Sequence, residues 1–297
     1  MAAPAGSQSR ILIALVVGAA LGCLANHAAS KGWIDKAVVT WIVTYITAHE
    51  IAHQWWAHQV VGADKQGMTL LSESFSQYAA LLVMEKLYGK AQIRKFLKKE
   101  LDGYLRSRGA EAVEELPLNR VENQGYIHYQ KGALAMYWLK EVVGEQVVNT
   151  ALQKLLAEFA FKSAPYPDSN DFLRLLRAEA GPQHAQLIVD LFEKITLYDL
   201  KASNAKATKR PDGKYDVSFT VDAKKLYADG KGKETESPLN EGFDVGVFTA
   251  EPGKKGYTRE SVLLMQRSVL RSGTQELQFT VDKAPLFVGV DPYNMRI

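Results

Sequence analysis

The chain has 297 residues, of which 47% are hydrophobic, and this length provides enough apolar sequence for a sizeable core in about two domains. Its formal net charge at pH 7 is only +3, and basic residues are mixed with acidic ones, which argues against a nucleic-acid-binding protein. The single cysteine, Cys23, excludes an internal disulfide and a cysteine-based structural zinc site.

The first predicted element is an apolar run, Ile11–Ala25, that follows Arg10. The run is short for a membrane-spanning helix and has the length typical of the apolar region of a secretion signal. A marginal anchor, a residual permease segment and a buried core helix stay open as alternatives. We therefore predict a signal or membrane-anchor-like segment over residues 1–30.

The second element contains His49-Glu50-Ile51-Ala52-His53. The largely apolar lead-in over 38–47 has no Gly or Pro and favours a helix, although its β-branched residues would also allow a short strand. Histidines four residues apart lie on the same face of a helix, so both imidazoles can reach one metal ion. Glu50 is then placed beside the water that the metal activates, which is the arrangement of a zinc hydrolase. We expect this helix to continue to about Val61, with His58 rotated away from the metal.

The third metal ligand is expected on the next helix. After a loop over 62–67, residues 69–84 are mostly apolar and contain one acid, Glu73. A lone carboxylate among apolar side chains must be neutralised, hydrogen-bonded or bound to a metal. Glu73 is therefore the candidate ligand, and the alternative is an acid that stabilises the N-terminus of a helix.

The middle of the chain is predicted to be helical. A basic run over 86–108 indicates a solvated helix face, or a surface that contacts anionic lipid headgroups. Apolar spacing typical of helices continues through the following segments, with Ser169 as the predicted N-cap of the fourth: 91–106, 132–143, 145–159, 171–180 and 183–193.

From Tyr198 the pattern changes to the alternation typical of strands. The predicted strands lie at 215–222, 243–249, 261–265, 275–281 and 286–290. Short antiparallel strands of this kind predict a β-sandwich. This part of the sequence contains no cluster of metal ligands and no arrangement of nucleophile and base, so we expect a packing or docking role for it.

The residues from His49 to Trp56, together with Leu71–Phe75, resemble the gluzincin family of aminopeptidase N. They are most similar to its bacterial branch, in which the peptidase domain is fused to permease segments. This chain has one residue more than the family between His53 and Glu73, which the loop over 62–67 can absorb, and serine on both sides of Glu73. The resemblance covers the chain from about Tyr45 to its C-terminus.

The resemblance implies an α+β fold, in which a thermolysin-like helical catalytic domain over 31–197 is followed by a β-sandwich over 198–297. It implies one Zn²⁺ per chain, held by His49, His53 and Glu73, with Glu50 as general base. The second catalytic residue of the family is a tyrosine just before Lys-Gly, which Tyr129 matches here. Its phenol would stabilise the oxyanion that forms on the substrate. The neighbouring Tyr126 and His128 are rivals for this role.

One device of the family is not found. Its N-terminal β-domain carries a Gly-x-Met-Glu-Asn strand whose glutamate holds the free amino group of the substrate, and no such motif precedes His49. We expect a zinc metallopeptidase that acts on peptides, with weak recognition of free amino termini. The alternatives are a non-catalytic zinc-binding domain of a membrane transport complex and a fragment of a larger enzyme. A membrane or permease partner and a membrane-associated or extracytoplasmic location in a bacterium are further expectations.

Overall fold

The computed structural model describes Ser30, Lys31 and residues 36–297, and this part of the chain forms two compact units. The first unit contains the described residues up to Lys90 together with Leu118–Ile188, and the second contains Ala91–Pro117 and Val189–Ile297. The apolar run Ile11–Ala25 lies outside the described residues, so the segment predicted over 1–30 stays a prediction. Among the described helices, none combines the length and the apolar character that crossing a bilayer requires.

The first unit is helical. Two short π-helical turns, Leu70–Ser74 and Tyr126–Lys131, lead directly into the second and the third of its long helices. The main helices are Lys36–Ala52 (α1), Phe75–Tyr88 (α2), Gly132–Val143 (α4), Glu145–Phe159 (α5), Ser169–Ala180 (α6) and the short Ala185–Ile188 (α7). The apolar runs predicted as helices over 132–143 and 145–159 are confirmed with these bounds.

The core of this unit lies behind the segment that carries Glu73. Helix α1 packs against α2, and α2 packs against α4. Phe75 is fully buried, and its ring centroid lies 5.1 Å from that of Trp56 and 4.7 Å from that of Phe172. Burial of a side chain of this size stabilises the fold by roughly 1.5–3 kcal/mol. The start of α2 is thereby fixed from behind by aromatic packing.

The expectation that the first helix continues to about Val61 is wrong, because α1 ends at Ala52. Ala57 has a φ of 103°, which a residue with a Cβ cannot adopt within a right-handed helix. The chain turns back here, and the Val60 N–H donates to the Trp55 carbonyl at 2.9 Å. His53 is therefore the first residue after the helix.

The expected N-cap of α6 is also wrong by one residue, because Asp168 and not Ser169 caps this helix. The Asp168 carboxylate accepts the Asn170 N–H at 2.8 Å, and the Asp171 carboxylate accepts the Asp168 N–H at 3.1 Å. This reciprocal pair satisfies two free N–H groups at the helix start. The Ser169 hydroxyl donates to the Asn119 carbonyl at 2.5 Å instead.

The second unit contains helix α3, Lys90–Ala110, over most of its length, and two antiparallel sheets. Strand β2 pairs with β1 on one side and with β6 and β3 on the other, and β4 lies between β5 and β7. The strands are Ile195–Lys209 (β1), Tyr215–Ala228 (β2), Glu234–Ser237 (β3), Asn240–Phe248 (β4), Val262–Arg271 (β5), Gly273–Val281 (β6) and Phe287–Val290 (β7).

The two sheets share one apolar core. Phe219 and Val221 of β2 pack in the same buried cluster as Phe243 and Val245 of β4. Alternate residues of β2 and of β4 face this layer, as expected for packed sheets. The fold is α+β, as the sequence predicted.

Strand β2 is longer than the predicted segment 215–222. The prediction ended too early because an inward-facing position of the strand holds a lysine. Lys225 is 3% exposed, and its ammonium donates to the Glu241 carboxylate at 2.8 Å and to the Asp190 carboxylate. Two acids compensate the loss of hydration that a buried ammonium would otherwise suffer. A cation at this position ends the apolar alternation in the sequence without ending the strand.

Candidate metal centre

The predicted site residues come from three segments of the first unit. His49 lies in the last turn of α1, and His53 follows the end of that helix. Glu73 lies in the π-helical turn Leu70–Ser74, and Tyr129 lies in the π-helical turn Tyr126–Lys131. π-helical turns are rare in proteins as a whole, but those that occur are frequently found at functional sites. The sequence predicted helix starts here but not this wider geometry.

The side chains of His49, His53 and Glu73 converge on one point. His49 Nε2 lies 3.0 Å from His53 Nε2 and 3.2 Å from Glu73 Oε2, and His53 Nε2 lies 3.5 Å from the same oxygen. Tetrahedral ligands held 2.0–2.2 Å from a zinc ion have their atoms about 3.3–3.6 Å apart. The triangle is therefore close to the size that one zinc ion requires.

The hydrogen bonds of His53 orient its ring for a metal. Its Nδ1 lies 2.9 Å from the Trp56 carbonyl oxygen, and the Ser76 hydroxyl lies 3.1 Å from the same nitrogen. A carbonyl can only accept, so Nδ1 carries a hydrogen, and in the neutral ring that binds a metal the lone pair is on Nε2. Nε2 points at a carboxylate oxygen, which is also an acceptor. A set of converging acceptors fits a cation, and the residues present fit zinc.

Without a metal ion, the closeness of these side chains affects their pKa values, because a proton can take the place of the cation between them. Burial disfavours the charged form of Glu73, but hydrogen bonds from His49 and His53 hold its pKa well below the usual range. Burial also opposes charge on His53, yet its hydrogen bonds to Glu73 and the Trp56 carbonyl raise its pKa. A metal at this point must therefore displace a proton, so metal binding should weaken as the pH falls.

Glu50 and Tyr129 flank the three converging atoms. The half-buried Glu50 is close enough for its charge to interact with both His53 and Tyr129. The Tyr129 ring centroid lies 5.8 Å from that of His49. Burial, and then the charge and hydrogen bond of Glu73, raise the pKa of Tyr129 to about 12. Its hydroxyl therefore keeps its proton at neutral pH and can donate it in a hydrogen bond.

The rivals of Tyr129 have other contacts. The Tyr126 hydroxyl accepts a hydrogen bond from Gln124 Nε2 at 3.4 Å. His128 Nδ1 lies 3.3 Å from the Glu122 carbonyl oxygen, and burial lowers the pKa of this histidine. His58, which was expected to be rotated away from the metal, contacts the backbone, since its Nδ1 lies 2.5 Å from the His53 carbonyl oxygen. The geometry favours Tyr129 as the donor beside Glu73, while the assigned roles stay predictions.

Ser76 is a site residue that sequence reasoning missed. It is fully buried one helical turn after Glu73, and its hydroxyl contacts His53 Nδ1, 23 residues earlier in the sequence. Groups that bond the second nitrogen of a metal-binding histidine fix its tautomer and orientation. The available signal was a serine in a mostly apolar segment, which is too common to identify a partner.

Comparison with known proteins identifies related sequences. Residues 35–193 match the model of the Peptidase family M1 domain. Endoplasmic reticulum aminopeptidase 2 of Homo sapiens is 26% identical over 132 residues, which cover 42% of this chain and 14% of that protein. The chain thus corresponds to a small part of this curated relative.

Two solved structures are similar over parts of the chain. One is an M1 zinc metallopeptidase from Deinococcus radiodurans, with 27% identity and a TM-score of 0.40, covering 50% of this chain and 32% of that chain. The other is aminopeptidase A of Legionella pneumophila in complex with aspartic acid, with 15% identity and a TM-score of 0.48. That match covers 83% of this chain and 25% of the other.

Proposed function

Because the chain belongs to peptidase family M1, with residues 35–193 forming the matched part, we propose that it is a zinc-dependent metallopeptidase with aminopeptidase-like chemistry. The observation that carries this proposal is the convergence of His49 Nε2, His53 Nε2 and Glu73 Oε2 within 3.0–3.5 Å of one another. Membership of the family agrees with the resemblance seen in the sequence.

We infer that these three side chains hold the metal. When bound, zinc supplies a Lewis acid that activates water and polarises the carbonyl of the scissile bond. The Trp56 carbonyl and the Ser76 hydroxyl hold the ring of His53, so that its Nε2 stays directed at Glu73. A site whose ligands are fixed before the metal binds loses little free energy in ordering them.

The proton is handled by Glu50. This carboxylate lies on α1 next to the first ligand, where it can accept the proton of the attacking water and then pass it to the leaving amine. Tyr129 donates a hydrogen bond to the substrate carbonyl oxygen as negative charge develops there. A donor whose pKa is raised to about 12 keeps its proton through this step.

The direct test is hydrolysis of unmodified peptides by the zinc-loaded chain. We expect turnover that a chelator abolishes and that added zinc restores. A folded, zinc-loaded protein that turns over no peptide would contradict the proposal and favour the alternative of a non-catalytic zinc-binding domain.

A further prediction concerns the amino terminus of the substrate. A substrate ammonium group that enters a cleft loses hydration and needs a fixed carboxylate in return. Glu50 and Glu73 are assigned to the water and the metal, and Glu122 accepts a hydrogen bond from the Gln66 amide at 2.7 Å. We therefore expect kcat/KM for a leucine anilide and for its N-acetylated form to agree within about tenfold, whereas a site built for a polar group discriminates by about 10⁴.

The two anilides share the scissile bond and the side chain, so their ratio isolates recognition of the amino group. Fast cleavage of the free amine with rejection of the acetylated form would show that a carboxylate within this chain binds the ammonium group. The expectation of weak recognition would then be wrong, while the proposed peptidase activity would stand.

A further inference from the structure

The two π-helical turns of the site are joined by a buried hydrogen bond. We name Leu70–Ser74 the ligand turn and Tyr126–Lys131 the tyrosine turn. The Ser74 hydroxyl donates to the His128 carbonyl oxygen at 2.7 Å, and Ser74 is fully buried. Ser74 directly follows Glu73, and the His128 carbonyl belongs to the peptide group that contains the Tyr129 nitrogen. One hydrogen bond therefore links the residue next to Glu73 with the residue next to Tyr129.

The two turns also touch at Gly132, which follows the tyrosine turn. A Cβ atom built on Gly132 would lie 2.1 Å from Ser74 Oγ and 2.6 Å from Ser74 Cβ. Real Cβ atoms do not approach other atoms this closely, so glycine is required for the turns to meet. This close packing limits the positions that the Ser74 hydroxyl can adopt, and so the acceptors that it can reach.

A second set of contacts holds the ring of His128. The Glu122 carbonyl oxygen lies 3.3 Å from His128 Nδ1 and accepts the Thr69 hydroxyl at 3.0 Å. Thr69 is the residue immediately before the ligand turn. The His128 ring in turn meets the Tyr129 ring edge to face, with centroids 4.5 Å apart. His128 is thus held through its carbonyl by Ser74, and its ring shares an acceptor with Thr69.

These contacts have a catalytic consequence if the proposed function is correct. Stabilisation of an oxyanion depends on a donor held at the correct distance, and a misplacement of about 1 Å can cost about 100-fold in rate. A π-helical turn is a local irregularity of the helix, so side-chain bonds to its carbonyl groups bear directly on its position. Resting on the proposed peptidase activity, we propose that Ser74 is a positioning residue that, through His128, sets the Tyr129 phenol relative to Glu73 and the metal.

The test compares Ser74→Ala with Ser72→Ala. Ser72 is a matched control, since it adjoins Glu73 on the other side and its hydroxyl donates a weak hydrogen bond to Met68 Sδ, at 3.9 Å. We expect both variants to bind zinc as the wild type does. For Ser74→Ala we expect kcat to fall about tenfold with KM nearly unchanged, because a shift of the phenol costs transition-state stabilisation only. Ser72→Ala should keep wild-type kcat.

A double-mutant cycle with Tyr129→Phe separates positioning from general stability. If Ser74 acts through the phenol, Ser74→Ala should change kcat little once the phenol is absent. Equal effects of Ser74→Ala in the Tyr129 and Phe backgrounds would overturn the proposal. Thr69→Val, which keeps the shape of the side chain and removes the donor to Glu122, provides a second variant should Ser74→Ala fold poorly. It should show the same dependence on the phenol, and additive effects would again contradict the proposal.

Amide hydrogen exchange gives a measurement that does not depend on catalysis. In the zinc-loaded protein, we expect faster exchange over residues 126–131 in Ser74→Ala and no change in Ser72→Ala. Unchanged exchange in both would overturn the proposed link between the turns. If the wild type hydrolyses no peptide, the proposed function fails and with it the catalytic role of Ser74, whereas the exchange result shows whether the link between the turns exists.

Discussion

Replacing Glu50 by glutamine is expected to lower kcat by about 10²–10⁴-fold, the usual contribution of a general base, while zinc content stays at the wild-type level. The amide has nearly the same shape as the carboxylate but cannot accept the proton of the attacking water. Glu50 is not one of the three converging ligands, which are His49, His53 and Glu73, so metal binding should persist. The measurement is kcat on a peptide substrate beside metal analysis of the same sample.

A matched control for this variant is Glu158→Gln. The Glu158 carboxylate forms a surface ion pair with Arg174, with the two side chains 45% and 53% exposed, and such pairs contribute little. We expect wild-type kcat and stability for this control. If Glu50→Gln retained activity comparable to the wild type, the general base would have to be another group, or the activity would come from a contaminant.

Replacing Tyr129 by phenylalanine is expected to lower kcat by about 10²–10³-fold, which is the cost of removing one donor to an oxyanion. The change removes only the hydroxyl, so the packing of the ring against His49 and His128 is kept. Zinc content should be unchanged, and KM should change less than kcat, because the hydrogen bond is strongest in the transition state.

Tyr126→Phe is the matched variant for Tyr129→Phe, since both tyrosines lie in the same π-helical turn. The Tyr126 hydroxyl accepts a hydrogen bond from Gln124, so its loss should affect stability more than kcat. A large loss of kcat in Tyr126→Phe with little loss in Tyr129→Phe would show that the rival tyrosine donates to the oxyanion.

Local spacing made the convergence of His49, His53 and Glu73 predictable. Two histidines four residues apart need only a helix to share a face, and a lone acid in an apolar helix needs a partner, so both inferences use residues close in sequence. The family resemblance then supplied the role of Tyr129. The roles inferred for these residues await the measurements proposed above.

The features that sequence reasoning missed depend on contacts between distant residues. The bond from Ser74 to His128 joins residues 54 positions apart, and no periodic pattern indicates it. Lys225 interrupts the apolar alternation of its strand because it is charged. Its burial could not be predicted, since the acids that neutralise it, Asp190 and Glu241, are distant in the sequence. Helix α1 ends at Ala52, and the positive φ of Ala57 prevents a helix from continuing to Val61, although alanine is a residue type that favours helix.

The central claim, that His49, His53 and Glu73 form one zinc site, is tested most directly by metal analysis of the purified wild type and of His53→Ala. We expect about one zinc per wild-type chain, because the three proposed ligand atoms already lie close to the spacing that a tetrahedral zinc site requires. After both proteins are dialysed in the same way, His53→Ala should retain far less zinc than the wild type, since only two of the proposed ligands remain. Equal zinc content in the two proteins would contradict the account.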